Sequence, residues 1–293
     1  MKLLSSTQKL KGRILLVFSL VLKKLKFVHL MGIALLSFLL YLILPFSQPF
    51  FSTDYSMVVT DEEGRFLRVF LNEQEQWCFA PQPEQQVPEK LKNAVILFED
   101  EYFYRHPGIN PVSVIRALKQ NLNKGKVVSG ASTLTMQVAR IRQGNKRTYW
   151  NKLKEVAEAF KLEVHFTKDE LLNLYLDHAP YGANIQGYQA ASYRYFGKSP
   201  SELSWAEAAT LAVLPNAPGL IFPSKMNHLL KEKRDRLLLK LHQSGLMDKT
   251  SYELAVLEPV PNSIYTFGMA APHLAQFLKS KHTDKTNIRT TLN

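Results

Sequence analysis

Apolar positions along the chain follow two patterns. Val28 to Leu44, VHLMGIALLSFLLYLIL, is one run without Lys, Arg, Asp or Glu. At about 1.5 Å per helical residue it just crosses a hydrocarbon core, so a single transmembrane helix is predicted there. Beyond it the pattern becomes periodic. Tyr55 to Thr60 and Arg65 to Leu71 are rich in β formers around Asp61-Glu62-Glu63-Gly64, which predicts a hairpin just past the membrane. Pro81 to Pro88 reads as a linker. From there the spacing is helical: Leu91, Ala94, Val95, Phe98 and Tyr102 form one stripe, and Val112, Ile115, Leu118 and Leu122 the next. Trp150, Leu153, Val156, Phe160 and Val164 form a third, and Leu230, Leu237 and Leu241 mark a long basic helix. Punctuation agrees with this reading. Asn110-Pro111 is a cap with a first-turn proline, Thr167/Glu170 and Ser204/Glu207 have capping-box spacing, and Gly197 and Gly245 suit C-terminal stops. The expectation is an all-α domain with a small β hairpin at its membrane end.

Charge sharpens the topology. The formal net charge is +12, but seven cations (Lys2, Lys9, Lys11, Arg13, Lys23, Lys24, Lys26) precede any acid, leaving +5 for the rest. The basicity is mainly a targeting signal, which puts the N-terminus in the cytoplasm and the folded part outside, and removes nucleic acid as the expected partner. Ile14 to Leu22 is too short to span and reads as a segment along the inner face. A cleaved signal peptide is the alternative, against which stands the lack of a small-x-small site. Cys78 is the only cysteine, so no intrachain disulfide and no cysteine-built metal site are expected.

Candidate chemistry concentrates between Glu99 and Glu155. FEDEYFYRHPG places Glu99 and Asp100 at the end of a predicted helix, followed by aromatics and His106. GASTLTMQVAR puts Gly130, Ser132 and Thr133 before an apolar-periodic run, the layout of a helix N-terminus that offers free N–H groups to an anion. Glu155 and Lys152, three apart, project from one face of the next helix. Arg140, Arg142, Lys146, Arg147 and Lys152 complete a cationic arc. Two separated carboxylates with such an arc suit glycosyl transfer from a diphosphate donor, one carboxylate deprotonating the attacking hydroxyl while the cations neutralise the leaving group. No HExxH or similar spacing occurs, so no dedicated metal cage and no permanently bound cofactor are expected. A divalent ion, Mg2+ or Mn2+, would be shared between a carboxylate and the substrate diphosphate.

These strings resemble the glycosyltransferase domain of class A penicillin-binding proteins and monofunctional peptidoglycan glycosyltransferases, glycosyltransferase family 51. Glu99, Asp100, Phe103, His106 and Gly108 match every fixed position of the first family motif. Gly130, Ser132, Thr133, Thr135 and Gln137 match the second, with Ala131 replacing a glycine. Lys152 and Glu155 match the third, but Asn151 stands where an arginine is expected. YLDHAPYGANIQG, which contains Asn184, and YFGKSPSELSWAEAATLAVLPNAP resemble the fourth and fifth, with Asp177 where asparagine is usual. VVTDEEGRFLRVFL, LAVLPNAPGL and IRTTLN are similar to the 1C type in particular.

The resemblance implies a mainly α, lysozyme-like lobe with a smaller membrane-apposed jaw, and polymerisation of lipid II into β-1,4-linked glycan strands with inversion and release of undecaprenyl diphosphate. It implies Glu99 as general base. Glu155, Lys152, Arg147 and Arg140 would hold the diphosphate, and Asp100, Ser132, Thr133, Gln137 and Asn184 join them as substrate-binding residues. The expected organisation is a cytoplasmic basic segment (1–27), anchor (28–45), hairpin and linker (46–88), glycosyltransferase domain (89–265, jaw about 109–149) and the start of a linker (266–293) to a transpeptidase domain whose motifs this chain lacks. Jaw residues Val112, Val114, Ile115, Leu118, Val127 and Val128 would contact lipid. Expected partners are lipid II, the growing strand, the membrane and other cell-wall synthesis proteins, on the outer face of a bacterial cytoplasmic membrane. Two other readings stay open: a lytic transglycosylase or muramidase on a similar lobe, and a non-catalytic scaffold, which Asn151 keeps alive.

Overall fold

The computed structural model describes residues 23–24, 26–82, 85–125, 130–144 and 148–292, which divide into two units, Met1–Ser47 and Gln48–Asn293. In the first, helix α1 contains Lys26–Ile43, long and apolar enough to cross a membrane by length and composition. Leu30, Ile33, Leu36 and Ile43 are all exposed, so its apolar surface is not covered by protein, as befits a helix whose solvent is lipid.

In the second unit, β1 (Val58–Thr60) and β2 (Phe66–Val69) form the predicted hairpin, with Val58 opposite Val69. Asp61 fixes the turn, its Oδ1 accepting from the Glu63 and Arg65 N–H groups at 2.9 and 2.8 Å. A hairpin this short leaves an apolar face that it cannot cover alone. The cover comes from the far end of the chain: β6 (Asn287–Arg289) pairs parallel with β1, and helix α11 (Pro272–Lys281) packs on β2. Met57, Val59, Leu67 and Ala275 are buried there, with Leu278 and Ile288 against them. Within 266–293, expected to begin a linker, Pro272–Lys281 and Asn287–Arg289 thus pack against the hairpin. A second sheet was not expected: β3 (Trp77–Cys78) pairs parallel with β5 (Ile185–Gln186), which pairs antiparallel with β4 (Pro180–Gly182).

The remainder is helical: α2 (Glu89–Glu99), α3 (Pro111–Lys124), α4 (Leu134–Gln143), α5 (Tyr149–His165), α6 (Lys168–His178), α7 (Tyr188–Phe196), α8 (Trp205–Val213), α9 (Asn227–Gln243) and α10 (Lys249–Leu257). Both predicted capping boxes form, Asn110 accepts from the Ser113 N–H ahead of Pro111, and Gly197 ends α7 in the left-handed region. Helix α8 is buried from Ala206 to Val213, and α2, α9 and α10 pack around it. Lys240 of α9 donates to the Leu97 carbonyl at 3.0 Å and to Glu101 at 2.8 Å, satisfying one of the free carbonyls at the C-terminal end of α2. The end of α2 is thus held from outside itself.

Two of the three predicted stripes face outward. Val112, Ile115 and Leu122 of α3 are 67, 68 and 72% exposed. Trp150, Leu153 and Val164 of α5 are also exposed, because α5 packs on α4 through the opposite side, where Ala159, Leu162, Glu155 and Glu158 are buried. Val127 and Val128 lie outside the described residues.

Candidate active site

Helix α2 stops at Glu99 because Asp100 leaves helical geometry, with its N–H still bonded to the Ile96 carbonyl. That break sends the two adjacent carboxylates in different directions. Asp100 turns inward, where it accepts from His106 Nε2 at 2.9 Å and from the Leu134 N–H, the first residue of α4, at 3.1 Å. Since a carboxylate only accepts, Nε2 carries the proton. Thr133 caps α4 by accepting from the Met136 N–H at 3.2 Å and donates its hydroxyl to the Gly108 carbonyl at 2.6 Å. Gly108 has φ +86°, and a Cβ there would lie 3.1 Å from the Ala159 carbonyl oxygen, so conformation and space both require glycine.

These bonds bear on three expectations. Asp100 and Thr133, both buried, join the first two motifs to each other. The α4 N-terminus, expected to be open to an external anion, is already met by the Asp100 carboxylate, which satisfies a free N–H and the helix dipole together. Asn184 lies in the β4–β5 turn at φ +55°, its Nδ2 donating to the Glu75 carbonyl at 2.7 Å and its own carbonyl accepting from the Trp77 N–H at 2.9 Å. It holds the second sheet.

Two small clusters remain along α4. In the first, Gln137 Nε2 donates to Glu99 Oε2 at 2.7 Å while its Oε1 accepts from Arg140 Nη2 at 3.3 Å. Gln137 and Arg140, three apart, share a helix face, so the amide is oriented with its donor on the carboxylate and its acceptor on the cation. In the second, Lys152 Nζ donates to Ser132 Oγ at 2.7 Å and to Glu155 Oε2 at 2.9 Å, with Glu155 buried. Arg142 is not part of the arc: it pairs with Glu158 at 2.8 Å and donates to the Phe50 carbonyl. Lys146 and Arg147 lie outside the described residues.

Burial raises the Glu99 carboxyl above its ordinary range, and Asp100 adds to this, whereas the Gln137 hydrogen bond, Arg140 and Lys233 pull the other way. Lys233 of α9, whose Nζ donates to Asn216 Oδ1 at 2.8 Å, bears electrostatically on Glu99 and carried no sequence signal beyond its place in a basic helix. Among the described residues no group of three His, Cys, Asp or Glu could hold a metal. Glu155, expected to help hold the diphosphate, already faces the Lys152 ammonium. That donor set fits an anionic substrate better than a divalent ion.

A half-sealed carboxylate and a lysine–glutamate pair on adjoining helices invite comparison with known enzymes. Residues 63–242 match the transglycosylase family. The chain belongs to that family. It is 37% identical over 245 residues to penicillin-binding protein 1C of Escherichia coli K12, an alignment covering 83% of this chain and 31% of that one. Penicillin-binding protein 1A of Aquifex aeolicus is 37% identical over 175 residues, 59% of this chain and 24% of that one. A Cupriavidus necator protein that also bears the transglycosylase name is 37% identical over 179 residues, 61% of this chain and 77% of that one. The chain therefore spans under a third of the length of the first two relatives. With the transglycosylase family comes the enzyme class, a peptidoglycan glycosyltransferase of cell-wall synthesis, and the 1C-type likeness read from the motifs stands.

Proposed function

We propose that this transglycosylase polymerises lipid II on the outer face of a bacterial cytoplasmic membrane, with α1 as a single-pass anchor and its N-terminus in the cytoplasm. The observation that carries the reading is the Glu99–Gln137–Arg140 cluster beside the Ser132–Lys152–Glu155 cluster, a base and two fixed cations on one helical frame. Glu99 takes the proton from the 4-hydroxyl of the acceptor sugar as that oxygen attacks the anomeric carbon of the lipid-linked strand. The new β-1,4 bond forms as the bond to the diphosphate breaks, and undecaprenyl diphosphate leaves with the bonding electrons. Arg140 and Lys152, with Arg147, neutralise the charge that develops on the leaving oxygens, which is where fixed cations lower a barrier most. The exposed apolar residues of α3 seat the jaw in lipid, and other cell-wall synthesis proteins are the expected partners.

The direct test is polymerisation of labelled lipid II by the detergent-solubilised chain. Polymer is expected; a folded chain that binds lipid II without extending it would move the scaffold reading forward. The pH dependence gives a second result. A base works only when ionised, so turnover is expected to be full above the raised Glu99 pKa and to fall as pH drops through it, with the acid limb above the ordinary carboxylate range. A bond-cleaving enzyme that uses Glu99 as an acid would instead lose rate as pH rises through the same value.

Asn151 supplies a third. Its N–H bonds to the capping Thr148 hydroxyl at 3.1 Å, so the position opens α5 one turn before Glu155. If Arg140, Arg147 and Lys152 suffice for the diphosphate, Asn151→Arg changes turnover by less than about tenfold. A hundredfold gain would mean that a cation worth about 2.7–4 kcal/mol of transition-state stabilisation is missing.

A further inference from the structure

Three buried polar atoms beside the catalytic end of α2 lack a hydrogen-bond partner: Glu99 Oε1, the Tyr175 hydroxyl and the Tyr181 hydroxyl. The tyrosines are 1 and 0% exposed, so neither hydroxyl reaches bulk solvent. Orphaned buried polar atoms are uncommon. The Glu99 carboxylate bears electrostatically on both tyrosines, and Tyr181 on Tyr175. The fold places two of the elements together. Tyr175 comes from α6, which packs on α4 where Gln137 and Arg140 reside, and Tyr181 comes from β4, whose carbonyl is fixed by the Tyr195 hydroxyl at 2.9 Å.

We propose that Tyr175 and Tyr181 are positioning residues: their hydroxyls and Glu99 Oε1 enclose a polar pocket that takes up water and holds the second oxygen of the catalytic carboxylate, as Gln137 holds the first. The inference rests on Glu99 being the base. Its physical content is that two phenols, kept protonated by burial, donate toward a carboxylate that burial otherwise disfavours. Gln137 alone satisfies only Oε2. With one oxygen unheld, the carboxylate could rotate away from the acceptor hydroxyl, and a base that is 1 Å out of place loses much of its effect.

Every group that faces Glu99 enters the test: Asp100 on α2, Gln137 and Arg140 on α4, Lys233 on α9, and the two tyrosines. Asp177, pushed up to about 7 by burial, bears electrostatically on Tyr181, so the variants are compared in an Asp177→Asn background as well. The experiment is the pH–rate profile of lipid II polymerisation for the parent, Tyr175→Phe, Tyr181→Phe and the double variant, with Glu99→Gln as reference. Loss of a donor destabilises the ionised carboxylate, so the acid limb is expected to move to higher pH by about half to one unit, a roughly threefold to tenfold loss at a pH on that limb. Superimposable limbs from folded variants, with Glu99→Gln inactive, overturn the proposal while leaving the base assignment standing. Parental rates from Glu99→Gln overturn the base assignment itself. Unfolding midpoints read the same question without activity. Deleting a bonded hydroxyl lowers the midpoint, whereas a midpoint raised by Tyr→Phe would mean that the hydroxyl was unpartnered in solution and would also overturn the proposal.

Discussion

Glu99→Gln is expected to lower lipid II polymerisation by roughly 10²–10⁴-fold, the contribution of a positioned general base. The substitution is informative because little else changes. Gln137 Nε2 now meets either the carbonyl or the amino end of the new side chain, and the carbonyl end preserves the 2.7 Å contact. Helix α2 still ends at the same residue, and Lys240 still holds the Leu97 carbonyl. A retained unfolding midpoint together with lost polymer assigns the loss to chemistry. Substrate binding should survive, since the cations placed on the diphosphate are Arg140 and Lys152. A variant that still makes polymer within about tenfold of the parent would remove Glu99 from the reaction.

Asp100→Ala, one position on, is expected to act through stability instead. It leaves the His106 Nε2–H and Leu134 N–H donors buried without an acceptor, each costing about 1–3 kcal/mol, and it removes the negative charge at the start of α4. Breaking a buried pair from one side typically costs about 3–5 kcal/mol, which is a large share of a domain's net stability. The measurement is a urea midpoint of the solubilised protein, with Asp100→Asn, which keeps one acceptor, falling between. If Asp100 were chiefly a substrate ligand, the midpoint would hold and KM would rise. The contrast between neighbours tests the geometry: one carboxylate faces the reaction, the other fastens two motifs together.

Helices were legible in the sequence because their ends are written in local chemistry. Thr167/Glu170, Ser204/Glu207 and Asn110-Pro111 announce starts within four residues, and the structure places a cap at each. The second sheet was not legible, since two-residue strands such as Trp77–Cys78 have no periodicity and pair with residues more than a hundred positions away. Apolar spacing showed that α3 and α5 are amphipathic without saying that their apolar faces point outward. Periodicity cannot distinguish a core from lipid. In the candidate site, the motif strings pointed to residues that the structure brings together, but not to their division of labour. Asp100 and Glu99 are the same chemical group one residue apart, and only the break in α2 separates a joint from the proposed base. Tyr175 sits in a helical apolar pattern and Tyr181 in a short turn, so nothing in their spacing set them beside Glu99.

The pairing of β1 with β6 also sets an order of events as the chain is made. One edge of β1 is closed almost at once by β2, its neighbour in sequence, but the other waits for Asn287–Arg289, far along the chain. Strand partners this remote are slow to meet, and until they do the outer edge of β1 is a template open to any extended segment. The sheet therefore closes later than the hairpin within it. A ribosome stalled upstream of residue 287 would release a chain with its helices formed and that edge still unmated.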